Sequence, residues 1–542
     1  MKRLLCLLTV LLLLPGLCLA EDFDFYVKTY PTSESGEAII NDVTFSDSWQ
    51  VDDNNRVFYE IFVGSFSDSD GDGVGDLRGI INRMDYLNDG DPTSGLSLGV
   101  EGLWLTPIFT SPSYHKYDVT DYYEVDPQFG TMADLQELIG LCHERDVKII
   151  LDLPINHTST QNSWFRNFCS AHLMQNPGHR HYDFYTWLEP GEAVPAGRHF
   201  ARVPGRELLY EANFSDSMPE LNFDNEAVRQ EMLKVAMFYL DMGVDGFRFD
   251  AAKYIYYDDH ARSVDFWDWY IGEMRKVKPD VYTVAEVWDG DGVIDRYLPV
   301  TNCFHFSASQ TAGIIAETAK GGDVNRFTAY MESYLSHVDE LSDHAQGVLF
   351  ISNHDMDRSA GYLSMASGRM KVAASLYLLS PGSPFIYYGE EIGLRGSRGG
   401  ANTDANRRLA MFWGDGDTVS DPEGSTYAKQ TPYSVKGLAA MSDSVLNHYK
   451  QLIMIREANP EIARGEYRAL KFTDTKVGGF TAAWEGRTVA VLHNTTDSTR
   501  QVDLAQATDT PFETIAAVTG AGQATLEGTV LTIDGQTSVV LR

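Results

Sequence analysis

Between residues 57 and 460, short runs of β-branched and aromatic residues alternate with longer amphipathic stretches. That alternation is the pattern of βα units arranged around a parallel sheet. Strands are expected at Val57–Val63, Gly102–Leu105, Lys148–Leu153, Gly246–Asp250, Val281–Glu286, Asn302–Phe306, Gly347–Ser352 and Pro384–Tyr388. Helices are expected at Leu77–Leu87, Met132–Arg145, Asn225–Met242, Asp265–Val277, Val324–Val338 and Met370–Leu379, with Ser442–Ala458 closing the series. Strands each followed by a helix in this number predict an α/β fold, the (β/α)8 TIM barrel.

Two stretches break the alternation. Residues 158–224, rich in aromatic residues, His, Gly and Pro, are too long for a plain loop, because connections beyond ~15 residues carry structure of their own. They are expected to form a small domain inserted after the third strand. After Pro460 the texture changes to alternating Thr- and Val-rich segments such as Thr488–His493 and Thr529–Ile533. That predicts a C-terminal antiparallel β-sandwich over residues 463–542, leaving 51–157 and 225–462 to the barrel and 21–50 as an N-terminal extension.

Charge and the chain start narrow the function. A formal net charge of −34 repels phosphate backbones and anionic lipid, which excludes nucleic-acid binding by charge. Hydrophobic residues at 43% and aromatic residues at 12% exclude a disordered chain. Residues 1–20 read as a secretory signal peptide: Lys2 and Arg3, the apolar run Leu4–Leu14, a Pro15-Gly16 break, and Cys18-Leu19-Ala20 before Glu21. The apolar run is shorter than the ~20 residues of a spanning helix, so an uncleaved anchor is the lesser alternative. The mature chain is expected to be secreted, with a periplasmic location the alternative. Cys142, Cys169 and Cys303 remain after cleavage, too sparse a set for a disulfide framework.

In a barrel of this kind the chemistry sits at the C-terminal ends of the strands. The third strand ends Asp152-Leu-Pro-Ile-Asn156-His157, the fourth reads Gly246-Phe-Arg248-Phe-Asp250, the fifth ends Ala285-Glu286-Val-Trp288, and the seventh ends Ser352-Asn353-His354-Asp355. One acid at a strand end is no more than a helix cap, whereas these segments together bring carboxylates, imidazoles and a guanidinium to one mouth. Arg248 stands two residues before Asp250, hence on the same strand face, where its charge favours the ionised carboxylate. Glu286, on the neighbouring strand, is expected among like charges that favour its acid role. A second acidic group lies near the amino end. Asp68, Asp70, Asp72, the Val74 carbonyl and Asp76 offer oxygen ligands at the spacing of an EF-hand loop, with Gly73 at the turn, which suits Ca²⁺. Gly79 stands where the loop's bidentate Glu would be, so this is not a helix-loop-helix sensor.

The four strand-end segments, in this order and spacing, resemble those of the α-amylase superfamily of glycoside hydrolases, family thirteen, over nearly the whole mature chain. The resemblance implies that Asp250 is the nucleophile, Glu286 the general acid/base and Asp355 a third carboxylate that binds sugar hydroxyls. It implies that His157 and His354 bind hydroxyls of the sugar being cleaved, that Tyr117 and Asp118 line its site with Tyr117 as the stacking platform, and that Lys253 lies on the leaving-group side. It also implies one structural calcium ion in the Asp68–Asp76 loop. The stretch Met218-Pro219-Glu220-Leu221-Asn222 is similar to that of an intermediate group that includes secreted bacterial α-amylases, with Glu220 where Asp is usual and Tyr254 where His is often found. These departures leave open a second calcium site near Asn156 and Glu220. The stretch Asn406-Arg407-Arg408-Leu-Ala-Met411-Phe-Trp413 resembles a segment beyond the eighth strand that can contribute to sugar binding, with packing of Trp413 beneath the mouth as the alternative. The expected activity is retaining, internal hydrolysis of α-1,4 bonds in starch-like glucans. The alternatives are a cyclomaltodextrinase or neopullulanase, an α-glucosidase, or a transglycosylase acting on malto-oligosaccharides. The expected partner is an α-glucan polysaccharide or oligosaccharide, with no nucleic acid, no membrane after removal of the leader, and the chain acting as a monomer.

Overall fold

The computed structural model describes residues 28–45, 51–427, 431 and 433–542. The leader reading for residues 1–20 falls outside them. A parallel sheet is built from β1 (Phe58–Ile61), β2 (Gly102–Leu105), β3 (Lys148–Leu153), β4 (Gly246–Phe249), β5 (Tyr282–Ala285), β6 (Asn302–Cys303) and β7 (Phe385–Tyr387). Its spatial order is β6-β5-β4-β3-β2-β1-β7. The expected strand at Gly347–Ser352 is an extended segment with no ladder of its own. It closes the barrel between β6 and β7 through isolated bonds: His305 N–H to the Val348 carbonyl at 3.0 Å, Phe385 N–H to the Leu349 carbonyl at 2.8 Å and Ser383 N–H to the Gly347 carbonyl at 2.8 Å. β6 is also shorter than expected, because the chain turns into a 3₁₀ helix at Phe306–Ala308.

Most expected helices are present, with informative differences. The first is split into Leu77–Asn82 and Met84–Leu87 at Arg83. The one expected from Asp265 begins at His260, where the Asp259 carboxylate caps it by accepting the Arg262 N–H.

The inside of the barrel is layered. Because side chains alternate along a strand, Phe58, Trp104, Ile150, Tyr282, Val284, Val348, Phe350 and Phe385 fill the interior as one apolar cluster. Charged residues at the next inward positions lie above that plug, at the C-terminal mouth. After β3, residues 158–224 carry a helix (Ser163–Leu173) and a small antiparallel sheet in which Leu209–Glu211 pairs with both Trp187–Leu188 and Phe200–Arg202. Backbone bridges His157 to Glu220 and Tyr185 to Leu221 tie this segment to the mouth. Past residue 465, a five-stranded and a three-stranded antiparallel sheet enclose a separate core that includes Leu470, Leu492, Leu531, Ile533 and Val539, which is a β-sandwich. Ala38 and Ile40 of the N-terminal segment are buried, with Ala38 N–H bonded to the Ala439 carbonyl and Ile40 N–H to that of Gly95. Among the described residues no helix is long and apolar enough to cross a membrane.

Candidate active site

Strand register creates the site. β3 and β4 pair Asp152 with Arg248, and Glu286 follows β5 with its N–H on the Phe249 carbonyl at 2.9 Å. Arg248, wholly buried, is the hub. Its Nη1 donates to Asp250 Oδ1 at 2.7 Å and to Asp152 Oδ1 and Oδ2 at 2.8 and 2.9 Å, while Nη2 is ion-paired with Glu286 Oε2. The guanidinium lies over the Trp104 ring, 5.2 Å from its centroid, so the apolar plug is its floor. Directly after Asp250 the chain turns sharply, with Ala251 at φ 48° in the left-handed region and Ala252 N–H on the Glu286 carbonyl at 3.1 Å.

The other half of the mouth comes from the segment after residue 351. His354 Nε2 lies 3.1 Å from Asp355 Oδ2 and 2.7 Å from the Tyr117 hydroxyl, and the Tyr117 and His354 rings stack at 13°. Asp355 Oδ1 accepts from Arg408 Nη2 at 2.5 Å, and Arg408 Nη1 donates to the Tyr114 hydroxyl. Burial opposes the Asp355 charge, but His354, Arg408 and Arg248 together hold the carboxyl well below its usual range. Burial raises the Asp152 carboxyl, with Arg248 pulling the other way. Burial also lowers His157, and its ring packs 5.3 Å from Phe214.

The structure therefore brings Asp250, Glu286, Asp355, Arg248, His354 and Tyr117 into one network. His157 and Asp118 stand beside it: Asp118 is buried and accepts from the Ser111 hydroxyl at 2.7 Å. Lys253 lies at the rim, donating to the Trp288 carbonyl and to Asp289, both at 2.9 Å. A cleft of about 720 Å³ continues from Asp355 between Trp288, Arg407 and Tyr427. Glu60 and Asp152 are members of the network that the strand-end reading did not select. The signal for both is a charged residue on the inward face of a buried strand.

At the amino end, Asp68, Asp70 and Asp76 each bring a carboxylate oxygen within 4.8 Å of the others, an all-oxygen donor set that fits a hard cation. Asp72 is exposed and does not join that set; its Oδ1 caps the Val74 N–H at 2.7 Å instead. Gly79 cannot carry the missing Glu, since a Cβ there would lie 1.9 Å from the Ser67 carbonyl oxygen. Near the mouth, Glu220 accepts the Asn213 N–H at 3.0 Å and stands beside Glu211, which is ion-paired with Arg198.

A family model described as alpha amylase, catalytic domain, matches residues 60–465. The chain is 37% identical over 448 residues, 81% of its length and 84% of the relative's, to "Alpha-amylase 3" of Dictyoglomus thermophilum. It is 31% identical over 452 residues, 80% of its length and 95% of the relative's, to the 4-alpha-glucanotransferase of Thermotoga neapolitana. Among solved structures, Eubacterium rectale Amy13B superimposes with a TM-score of 0.83 at 33% identity, covering 92% of this chain and 97% of that one.

Proposed function

The chain belongs to the α-amylase family of glycoside hydrolases, and from that premise we propose that it is a secreted α-amylase cleaving internal α-1,4-glucosidic bonds of starch-like glucans with retention of configuration. One observation carries the mechanism: Asp250 and Glu286 are held by the two terminal nitrogens of a single buried guanidinium. That closeness favours the ~5–5.5 Å carboxyl separation of a retaining enzyme over the ~6.5–9.5 Å that leaves room for water. Asp250 attacks the anomeric carbon and displaces the leaving sugar, whose oxygen takes the proton of Glu286. Glu286, now a carboxylate, then removes a proton from the water that hydrolyses the glycosyl-enzyme. Arg248 stabilises the Asp250 carboxylate, and Asp355 with His354 binds hydroxyls of the ring at the bond being broken.

The cleft beyond Asp355 and the alpha-amylase relative support internal cleavage. The glucanotransferase relative supports the second reading, transfer of the glycosyl group to another sugar. Product analysis on amylose, maltotriose and pullulan separates them. Early malto-oligosaccharides from amylose are expected. Glucose alone, released from chain ends, would sink internal cleavage, and products longer than maltotriose from maltotriose would establish transfer. The first product should carry the α configuration in a proton NMR time course. The proposal includes one Ca²⁺ held by Asp68, Asp70 and Asp76, where it would pin the loop and take no part in bond cleavage. Export rests on the leader-like residues 1–20 and is checked by N-terminal sequencing of the protein from culture medium.

A further inference from the structure

Glu60, on β1, is 1% exposed and faces inward above the apolar plug. Its Oε1 accepts twice from one residue, from His354 Nδ1 at 2.6 Å and from the His354 N–H at 3.3 Å. Across the ring, Nε2 faces the Tyr117 hydroxyl oxygen and Asp355 Oδ2. The Tyr117 hydroxyl also contacts Asp152 Oδ2 at 2.8 Å and has one proton to give, whereas the Asp355 carboxylate oxygen facing Nε2 can only accept. Each ring nitrogen of His354 thus faces a carboxylate oxygen, Glu60 Oε1 at Nδ1 and Asp355 Oδ2 at Nε2. A neutral imidazole, with one proton, would set a lone pair against oxygen on one side or the other.

The surroundings agree with a charged ring. Burial opposes it, yet Asp355 and Glu60 raise His354 to about 9. The remaining ionisable neighbours are Asp152 and Arg248, joined to the ring through the Tyr117 hydroxyl, Arg408, whose Nε donates to the His354 carbonyl at 3.1 Å, and Tyr387, opposite Glu60 on β7. Trp104, from β2, meets the ring edge-on at 5.7 Å and brings no charge.

We propose that Glu60 is a positioning residue that keeps His354 doubly protonated and fixes the ring so that Nε2–H points at Asp355 and at the sugar hydroxyl the pair binds. The last clause rests on the reading of Asp355 and His354 as sugar-binding groups. Glutamine at position 60 could still accept the Nδ1 proton, but it would supply no charge to hold the imidazolium. Glu60 therefore holds the His354 charge from beneath the site, without touching substrate.

The test is ¹⁵N NMR of the His354 ring in the full chain without substrate, its signals identified by their loss in His354→Gln. In the wild type both ring nitrogens are expected to be protonated at about pH 7.5. In Glu60→Gln the titration midpoint should fall by about one unit or more. A wild-type ring that is neutral at about pH 7.5, or a midpoint unchanged in folded Glu60→Gln, overturns the proposal. If Glu60→Gln does not fold, the wild-type titration decides alone. The NMR signal does not need turnover, so a chain that hydrolyses no α-glucan would refute the amylase reading while leaving this measurement intact.

Discussion

The chain holds two acidic clusters that differ in where their counter-charges stand. At the barrel mouth, Glu60, Asp152, Asp250, Glu286 and Asp355 are matched by Arg248, Arg408 and His354, all from the same fold. At the amino-end loop, Asp68, Asp70 and Asp76 converge, yet among the described residues none of them forms an ion pair with a side chain. The Asp68 carboxylate is met by the N–H groups of Asp70, Gly71 and Gly73 and by the Thr418 hydroxyl, dipoles that orient a carboxylate without cancelling its charge. A site that makes and breaks bonds needs counter-charges at fixed distances, and here tethered side chains supply them. A loop that needs only to be held can leave its charge to an ion from solution.

Each side of that contrast can be broken. The largest effect is expected from Asp250→Asn, which should lower kcat by about 10⁴-fold or more on soluble starch while the far-UV spectrum stays unchanged, because Arg248 keeps its other carboxylate partners. Retention of a tenth of the activity would remove Asp250 as nucleophile. Next, Arg248→Leu strands the buried Asp152 and Asp250 without their cation and should cost about 3–5 kcal/mol in a urea unfolding curve. A change under ~1 kcal/mol would mean that the mouth is neutralised by protonation instead. For the loop, chelation should lower the melting temperature, by an amount equivalent to about 2.7 kcal/mol when calcium had been at 100 times its Kd. Asp68→Asn should abolish the difference between calcium and chelator. A melting temperature indifferent to calcium in the wild type would erase the contrast between the clusters.

Much of the mouth was legible because barrel geometry converts position into role. Asp250, Glu286 and Asp355 directly follow strands or the segment that closes the barrel, where side chains must face the opening. Glu60 was not legible in this way. It sits inside an apolar strand, and its partner His354 is 294 positions away. Only its alternation with Phe58 marked a charge on a buried face. The strand expected at Gly347–Ser352 shows the opposite error. Its residues have strand composition and are buried, but β6 ends after two residues and leaves no ladder to pair with. Composition reports burial there, whereas pairing depends on a neighbour the local sequence does not contain. The helix from His260 starts ahead of its apolar periodicity because its first residues are polar and partly exposed, so the Asp259 cap marks its start.

A smaller test concerns a cluster between the two extremes. Glu211 and Glu220 are both buried beside the mouth, and one cation, Arg198, is ion-paired with Glu211. Burial, and after it the charge of Glu211, raises Glu220 from 4.5 to about 8. Between those values the folded chain keeps a proton that the unfolded chain releases, so this group's contribution to stability declines as pH rises from about 4.5 to about 8. Glu220→Gln mimics the protonated form and should remove that decline. Its melting temperature should match the wild type near pH ~4.5 and exceed it by a few degrees near pH ~8.5, measured by calorimetry at fixed calcium. A variant less stable than wild type at the higher pH would show that Glu220 is ionised there and that its charge is compensated. If added Ca²⁺ then raised the wild-type melting temperature more than that of Glu220→Gln, the extra compensation would come from solution, and this cluster would belong with the amino-end loop instead of with the ion-paired mouth.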